Sequence, residues 1–222
     1  MKQAGSQRPL LSDKESFAFF VLRMRARGVD DPKLFAAIEA TPRQNFLNST
    51  WSDLAYSSRT LPLDCGEYIE GIDDQTRILS ALKLEPGHRV LEIGTGSGFT
   101  AAVMSMLAGR VTTMERYRKL CDHALQQFVA LKRENVVVKH ADGRHGIGGG
   151  PFDRILLWLA CEDIPHHLVD MLATHGVLIA PIGPAEGTQV ITRIAKVGSR
   201  FEQEDLMQVR YQPFIEGVSA IL

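Results

Sequence analysis

The residues best suited to chemistry are a glycine-rich loop and three acidic residues near it in the chain. The loop consists of Gly94, Thr95, Gly96, Ser97 and Gly98. Glu92 comes two residues before the loop, whereas Glu115 and the pair Asp142-Gly143 end the next two apolar runs. A loop without side chains lets a ligand approach the backbone closely. If the apolar runs are neighbouring parallel strands, their carboxyl ends bring the three acids to the same ligand.

The spacing and charge of these residues indicate a class of ligand. Dinucleotide-binding loops have the pattern G-x-G-x-x-G, whereas this loop is G-x-G-x-G. A carboxylate at Glu115 can bind two ribose hydroxyls, and Asp142 can accept a hydrogen bond from an adenine amine. The acidic surroundings would repel a pyrophosphate but not a cationic adenosine derivative, so S-adenosylmethionine is the ligand that fits. Each feature also has a structural alternative. The glycine loop could be only a tight turn between a strand and a helix, and each acid could be a solvated loop carboxylate.

From residue 89 onward, apolar strands alternate with amphipathic helices. Strands are predicted at residues 89–93, 111–115, 136–138, 152–159 and 177–180, and helices at 99–108, 117–132 and 164–173. The segment from Gln189 through Phe214, with a turn at 197–199, has the pattern of an antiparallel hairpin. The predicted fold class is therefore α/β: a Rossmann-like, doubly wound, mostly parallel sheet with a C-terminal antiparallel hairpin.

Two helices are predicted ahead of the sheet. Ser12 and Glu15 have the spacing of a capping box, and the helix that follows them is expected to end at Gly28. A second helix opens at Asp30-Asp31-Pro32, where proline suits the first turn, and ends before Pro42. The sequence thus predicts an N-terminal helical addition to the sheet.

The segment between this addition and the sheet is less regular. Residues 43–72 show no sustained period, which leaves short strands and an ordered loop both open. Asp73 or Asp74 is expected to cap a helix that runs through Leu82. These patterns divide the chain into a flexible N-terminus at 1–11, an N-terminal addition at 12–83 and the ligand-binding domain at 84–222.

Composition and charge exclude several classes of protein. Of the 222 residues, 45% are hydrophobic and 23% are charged, which is typical of a globular protein. The formal net charge of −1 makes nucleic acid an unlikely partner. Since the sequence has no long apolar run and its start lacks a signal-peptide core, we expect no membrane partner and a cytoplasmic location. Three scattered cysteines and seven histidines without zinc spacing predict neither disulfides nor a metal site.

Several segments resemble one known family when they are taken together. VLEIGTGSGFTAAV resembles the cofactor signature of class I S-adenosylmethionine-dependent methyltransferases. MRARGVDDPKLFAAIEATPRQNF and AYSSRTLPL are similar to the N-terminal segments of the protein-L-isoaspartate O-methyltransferase family. ADGRHG, PFDRILLWLACEDIP and HGVLIAPIG are similar to its later motifs, in order and spacing. The resemblance covers roughly residues 18 to 214 and makes that family our interpretation of the chain.

The resemblance implies a reaction and a set of binding residues. The reaction is methyl transfer from S-adenosylmethionine to isoaspartyl carboxylates in damaged proteins, so the implied partner is an isoaspartyl protein or peptide. Glu92 and the 94–98 loop would hold the methionine portion and approach the ribose. Glu115 would bind the ribose hydroxyls, and Asp142 and Gly143 would lie against adenine. The sequence makes no prediction of the oligomeric state.

The active-site loop departs from the family pattern. The family has a Thr-Ile-Ser segment followed shortly by proline, whereas this chain has Tyr68-Ile69-Glu70-Gly71-Ile72. Glu70 stands at the serine position, Ile72 stands at the proline position, and Trp158 replaces a small polar residue. Glu70 is therefore the candidate catalytic residue, although it could also be a loop glutamate outside the site.

A glutamate at this position leaves the methyl acceptor open. An ionised Glu70 would repel a carboxylate acceptor, so Glu70 is protonated, points away, or serves as base for an amine or hydroxyl acceptor. The alternatives to the family reaction are thus a methyltransferase for RNA or a small molecule, and a catalytically silent S-adenosylmethionine-binding module.

Overall fold

The structure is a computed structural model that describes residues 12–219. Residues 1–11, which the sequence predicts to be flexible, lie outside the described part of the chain. No helix within residues 12–219 combines the length and the apolar character needed to cross a membrane.

The first two helices form where the sequence predicts them. Helix α1 spans Asp13–Ala26 and has the predicted capping box, because Ser12 Oγ accepts from the Glu15 amide while the Glu15 carboxylate accepts from the Ser12 amide. Helix α2 spans Pro32–Glu39 and is capped by the side chain of Asp31. Both predictions are confirmed.

Residues 43–72 contain short elements of several kinds. Two 3-10 helices, Arg43–Phe46 and Ser49–Leu54, are followed by strands β1 (Leu61–Pro62) and β2 (Tyr68–Ile69). The two strands pair antiparallel and close a loop at residues 63–67. Short strands and an ordered loop are thus both present.

Helix α3 spans Ile72–Leu82, but the predicted cap is wrong. Its N-cap residue is Gly71, and Asp73 and Asp74 lie inside the first turn. A Cβ at Gly71 would lie 2.2 Å from Ser58 O, so only glycine permits this approach of the two backbone segments. Packing against the preceding loop therefore decides where the helix begins.

Asp73 instead joins α3 to α1. Its side chain is 1% exposed and forms two hydrogen bonds with Arg23, at 2.8 and 2.6 Å, and one with Arg27 at 2.7 Å. Arg23 also donates to Tyr56 O at 2.8 Å. A buried carboxylate is tolerated here because charge-assisted hydrogen bonds replace its hydration.

The other strands form one seven-stranded sheet. They are β3 (Arg89–Ile93), β4 (Arg110–Glu115), β5 (Val136–His140), β6 (Phe152–Leu157), β7 (Leu172–Ile182), β8 (Gln189–Val197) and β9 (Arg200–Val209). Their order in the sheet is β5-β4-β3-β6-β7-β8-β9. The first five strands pair parallel, whereas β8 pairs antiparallel with both β7 and β9. This confirms the predicted α/β fold class, including the C-terminal hairpin.

Two of the three crossover helices are shorter than predicted. They are α4 (Phe99–Met104), α5 (Arg118–Ala130) and α6 (His166–Val169). Helix α4 stops early where Asn135 Nδ2 donates to the carbonyls of Ser105 and Ala108. Helix α6 stops early because the chain joins β7 at Leu172, which pairs with Phe152 of β6.

Both faces of the sheet are buried. Along β3, Val90 packs on the face covered by α1 to α5, whereas Leu91 and Ile93 pack on the face covered by α6. Phe20 of α1 belongs to the same core as Val90. The division of the chain at residues 83 and 84 stays a prediction, since one core spans that boundary.

Strand β9 is a free edge of the sheet. Residues 200–205 of this strand are all exposed, and Glu202, Glu204 and Asp205 are among them. Beyond Val209 the chain leaves the sheet and crosses toward the carboxyl ends of the parallel strands, where Phe214 N donates to Ala160 O at 3.0 Å.

The ion pair between α1 and α3 yields a stability test. We expect Asp73→Asn to lower the free energy of unfolding by about 2 kcal/mol, because the amide cannot replace a carboxylate that binds two guanidinium groups. Asp30→Asn is the matched control, since Asp30 and Arg25 form an exposed pair at 3.3 Å. Its effect should stay below about 0.5 kcal/mol in urea denaturation. Equal effects of the two substitutions would contradict this interpretation.

Candidate active site

A pocket opens at the carboxyl ends of β3, β4 and β5, where open parallel sheets bind ligands. Residues predicted from the sequence that line it are Glu70, Gly94, Thr95, Gly96, Ser97, Glu115, Asp142 and Gly143. Glu92 and Gly98 do not line it. The fold therefore brings most of the predicted site together and places two of its members behind the pocket wall.

Glu115 is held between the end of β4 and the glycine loop. It is 6% exposed, and its two oxygens accept from the Gly96 amide at 2.9 Å and the Tyr117 amide at 3.0 Å. Burial raises the pKa of Glu115, while these amide hydrogen bonds act to lower it. A carboxylate has about four lone-pair sites, so about two remain for a ligand.

Asp142 and Gly143 follow β5. The Asp142 oxygens accept from the Arg144 amide at 2.9 Å and the Gly217 amide at 2.7 Å. Partial burial acts to raise the pKa of Asp142, but the two amides and neighbouring cations outweigh it, so the pKa is lowered and the group is anionic at pH 7. A Cβ at Gly143 would lie 2.3 Å from Ile93 Cγ2, so glycine allows this turn to pack on β3.

Glu92 is fully buried and binds other protein groups. It accepts from Thr100 Oγ1 at 2.5 Å, Thr113 Oγ1 at 2.7 Å and Trp158 Nε1 at 2.9 Å. Burial raises the pKa of Glu92 to about 7, and the three hydrogen bonds act in the opposite direction. Thr95 Oγ1 lies 2.6 Å from Thr113 Oγ1, which extends the network to the glycine loop. Glu92 thus orients Trp158 and Thr95, both of which line the pocket.

The glycines of the loop serve two purposes. Gly94, Gly96 and Gly98 all have positive φ, at 93°, 52° and 88°. A Cβ at Gly98 would lie 2.8 Å from Ala124 Cβ, so this glycine lets α4 pack against α5. A Cβ at Gly96 would meet only Leu63 Cδ1 at 3.5 Å and would occupy the pocket wall.

Glu70 lies at the other side of the pocket, directly after β2. Its carbonyl accepts from Arg43 Nη2 at 2.6 Å, and Arg43 Nη1 donates to Ala55 O at 2.6 Å. Arg43 is fully buried with its guanidinium over the Phe99 ring, at 5.4 Å from the centroid. A buried cation therefore fixes the backbone on which Glu70 is carried.

The pocket is acidic. The carboxyl groups that line it belong to Glu67, Glu70, Glu115 and Asp142, whereas Arg116 is the basic residue among the described lining residues. The Arg116 guanidinium donates to Gly217 O at 3.1 Å. No group of three or more His, Cys, Asp or Glu side chains within residues 12–219 is arranged to hold a metal ion. The pocket is therefore suited to an organic cation.

Several pocket residues have no signal in the sequence. Gln75 of α3 and Phe214 of the C-terminal segment both line the pocket. Gln212, also in the lining, accepts from the Tyr68 amide at 3.2 Å and donates to Gly66 O at 3.4 Å. These residues belong to no motif and are brought to the site only by tertiary folding.

Fold and site together define a class I methyltransferase fold. A Plasmodium falciparum structure assigned as a protein-L-isoaspartate O-methyltransferase, in complex with S-adenosylhomocysteine, superimposes with a TM-score of 0.76, covering 89% of this chain and 97% of that chain at 22% identity. A second structure, a protein-L-isoaspartate O-methyltransferase, gives a TM-score of 0.78 at 24% identity and covers 91% of this chain and 67% of that chain. These likenesses establish the fold.

Sequence comparison establishes the family. The model of the protein-L-isoaspartate(D-aspartate) O-methyltransferase family matches residues 17–219. A protein-L-isoaspartate O-methyltransferase of Rhizobium meliloti is 43% identical over 202 residues, which cover 90% of this chain and 99% of the relative. One from Azorhizobium caulinodans is 41% identical over 212 residues, covering 95% and 98%. The chain belongs to the protein-L-isoaspartate(D-aspartate) O-methyltransferase family.

The two uses of glycine predict separable effects of alanine substitution. Gly98→Ala should lower the free energy of unfolding by about 2 kcal/mol, because the new methyl group overlaps Ala124 and φ is positive. Gly96→Ala should lose about 1 kcal/mol of stability but weaken S-adenosylhomocysteine binding at least about tenfold, since its methyl group enters the pocket. Urea denaturation and calorimetry measure the two quantities. A Gly98→Ala variant that is fully stable yet binds weakly would contradict this assignment.

Proposed function

We propose that this protein transfers a methyl group from S-adenosylmethionine to the free carboxylate of isoaspartyl residues in damaged proteins. The observation that carries the proposal is the family match over residues 17–219, which includes every residue of the pocket. The acidic pocket at the carboxyl edge of the sheet independently supports the part of this proposal that concerns the cofactor.

The pocket residues fit S-adenosylmethionine in shape and charge. The bare backbone at Gly94 and Gly96 leaves room for the methionine portion beside the loop, and Glu115 has acceptor sites left for ribose hydroxyls. Asp142 and Gly143 lie where adenine would pack. Apolar side chains, including Leu159 and Phe214, complete the walls. We assign Glu92 and Gly98 to the support of this site, since neither lines it.

The charge of the pocket favours a cation over a neutral nucleoside. Glu115 and Asp142 accept hydrogen bonds from backbone amides rather than from arginine or lysine side chains, so a cationic ligand displaces no ion pair at either carboxyl group. A sulfonium and an ammonium group both gain from this field. A pyrophosphate would be repelled, which separates this site from a dinucleotide site.

The reaction needs positioning more than proton transfer. When bound, S-adenosylmethionine supplies a methyl group carried on a cationic sulfur. A carboxylate has a pKa near ~4 and is already nucleophilic at pH 7, so no base is required. The protein's contribution is to align the acceptor with the cofactor and to exclude water.

Glu70 would oppose this reaction if it were ionised. Two carboxylates ~4 Å apart at an effective dielectric of ~20 repel by roughly 4 kcal/mol. That energy corresponds to about a thousandfold in rate. Burial raises the pKa of Glu70 to about 8, with Arg43 acting in the opposite direction. This raised pKa shifts Glu70 toward its neutral form at pH 7, which reduces the repulsion of a carboxylate acceptor.

Cofactor binding is tested at Glu115. We expect Glu115→Ala to weaken S-adenosylhomocysteine binding about 10- to 100-fold, because two hydrogen bonds to a charged acceptor are lost. Isothermal calorimetry measures the affinity, and Glu202→Ala on the exposed edge strand is the control. Wild-type protein that gives no heat at millimolar ligand would refute cofactor use.

The acceptor is tested with labelled methyl groups. Wild-type protein and S-adenosylmethionine carrying a tritiated methyl group are expected to label an isoaspartyl peptide and not the aspartyl peptide of the same sequence. The label should be released as methanol by mild base, because an ester is formed. Label that resists base, or label on RNA instead of the peptide, would show that the acceptor is different.

A further inference from the structure

The chain beyond β9 returns to the pocket. Ala160 N donates to Gln212 O at 2.7 Å and Phe214 N donates to Ala160 O at 3.0 Å, which fixes the start of this return beside the end of β6. Phe214 and Ile215 then line the pocket. We call residues 214–219 the C-terminal clasp, because hydrogen bonds join it both to the turn after β5 and to the residue after β4.

The amide of Gly217 joins the C-terminal clasp to Asp142. It donates to Asp142 Oδ2 at 2.7 Å, while Asp142 Oδ1 accepts from the Arg144 amide at 2.9 Å. The Arg144 amide belongs to the same turn as Asp142, whereas Gly217 is 75 residues away in the chain. Two amides on separate segments therefore restrict rotation of the carboxylate, and about two of its four lone-pair sites remain for a ligand.

Arg116 holds the C-terminal clasp at the other end of this contact. Its Nε donates to Gly217 O at 3.1 Å, and its carbonyl accepts from Ser219 N at 3.0 Å. The guanidinium also lies over the Tyr117 ring, 5.0 Å from the centroid, which restricts its orientation. Arg116 lines the pocket and directly follows Glu115, so the clasp connects the predicted ribose side to the predicted adenine side.

The ion pair beside these bonds contributes less. Arg144 Nη1 lies 3.2 Å from Glu216 Oε2, but the two side chains are 43% and 74% exposed, and exposed pairs have small coupling energies. Within residues 12–219, Asp142 itself forms no ion pair. Backbone amides alone therefore orient its carboxylate.

A carboxylate held in one orientation can select the base that a ligand carries. An ionised carboxyl group accepts hydrogen bonds and donates none, so Asp142 favours an exocyclic amine, as in adenine, over an exocyclic oxygen, as in hypoxanthine. A carboxylate that is free to turn could move away from the wrong base. Strong discrimination therefore requires that the surrounding groups hold the acceptor in place.

We propose that Arg116 and Gly217 are positioning residues for adenine selection: Arg116 holds the backbone of Gly217, and the Gly217 amide holds the Asp142 carboxylate where it accepts from the 6-amino group of adenine. This inference rests on the proposed function, because adenine is the base of S-adenosylmethionine. The role of Arg116 is indirect, since it acts through Gly217 and Asp142. The segment after the last strand thereby takes part in cofactor recognition.

The test compares two ligands that differ at one position of the base. S-adenosylhomocysteine carries a 6-amino group, and S-inosylhomocysteine carries an oxygen there. Calorimetry with the full chain should show that the wild type binds the adenine ligand about 100-fold more tightly. Asp142→Asn should reduce this ratio below about tenfold, because an amide can also donate to the oxygen. A wild-type ratio near one would overturn the proposal.

Substitution of Arg116 tests the indirect role. Arg116→Met should lower the ratio about tenfold, mainly by weakening S-adenosylhomocysteine binding, because Asp142 loses part of its support. Two controls should keep the wild-type ratio: Arg118→Met, which removes a nearby exposed charge, and Glu216→Gln, which breaks the exposed ion pair. If Arg116→Met weakens both ligands equally, Arg116 binds a part that they share, such as the homocysteine carboxylate, and the proposal is wrong.

Amide hydrogen exchange tests the C-terminal clasp without a ligand. In Arg116→Met the Gly217 amide should exchange about tenfold faster than in the wild type, because the adjoining hydrogen bond is lost. The rate should not change in Arg118→Met. Nuclear magnetic resonance resolves this single amide, and the Tm of each variant reports whether the fold is intact. An unchanged Gly217 rate in folded Arg116→Met would refute the proposed hold.

The outcomes separate this inference from the proposed function. If the wild type binds neither ligand, cofactor use fails and adenine selection fails with it. If S-adenosylhomocysteine binds and the isoaspartyl peptide is labelled, but Arg116→Met changes neither the ligand ratio nor the Gly217 exchange rate, only the inference about the C-terminal clasp is refuted.

Discussion

The buried carboxylate of Glu92 is the interaction on which the site depends. It stands on β3 and accepts hydrogen bonds from Thr100 of α4, Thr113 of β4 and Trp158 beyond β6. One side chain thus joins the strand that leads into the glycine loop, the helix that leaves it and both neighbouring strands. The cost of burying a carboxyl group is offset because three donors satisfy it. Since Trp158 and the glycine loop both line the pocket and lie side by side, this one buried group orients two neighbouring parts of its wall.

The N-terminal addition performs the same task for the side of the pocket that carries Glu70. Asp73 ties α1 to α3, and Arg43 holds the backbone of Ala55 and Glu70 from within the core. Both devices use a buried charge whose partners come from distant parts of the chain. The consequence is that the backbone of Glu70 is held from the core, although it follows strands of only two residues each. Cofactor and acceptor sides are therefore positioned by separate polar networks that meet at the pocket.

The sequence predicts the sheet and the meeting of Glu115, Asp142 and the glycine loop at one pocket, because both depend on local patterns. Apolar runs ended by Glu115 and Asp142 specify strands whose carboxyl ends converge, and the glycine pattern marks the loop between β3 and α4. The supporting role of Glu92 is harder to predict from the sequence, since its partners Thr113 and Trp158 are far away in the chain. Asp73 has the spacing of a helix cap, but its side chain forms ion pairs with α1 instead. Helix α6 was overestimated because the pairing of β7 with β6 outweighs local helical propensity.

From the sequence alone, the side of the pocket that carries Glu70 can be recognised only because the chain departs from the family pattern there. A sequence shows that Glu70 replaces a serine, but the protonation state of that glutamate depends on burial among α3, the first 3-10 helix and the C-terminal segment. Gln75 belongs to no motif, and its place in the pocket lining becomes visible only when the neighbouring elements are in place. Tertiary contact, rather than spacing, therefore carries the chemistry of this region.

The exposed acidic residues of β9 have a consequence for a protein that handles damaged chains. A sheet edge presents unpaired N–H and C=O groups, which readily add a strand from another molecule. Glu202, Glu204 and Asp205 place like charges along this edge, where an incoming strand would have to desolvate them. The charges on this edge therefore act against strand addition by an extended polypeptide, including a polypeptide substrate.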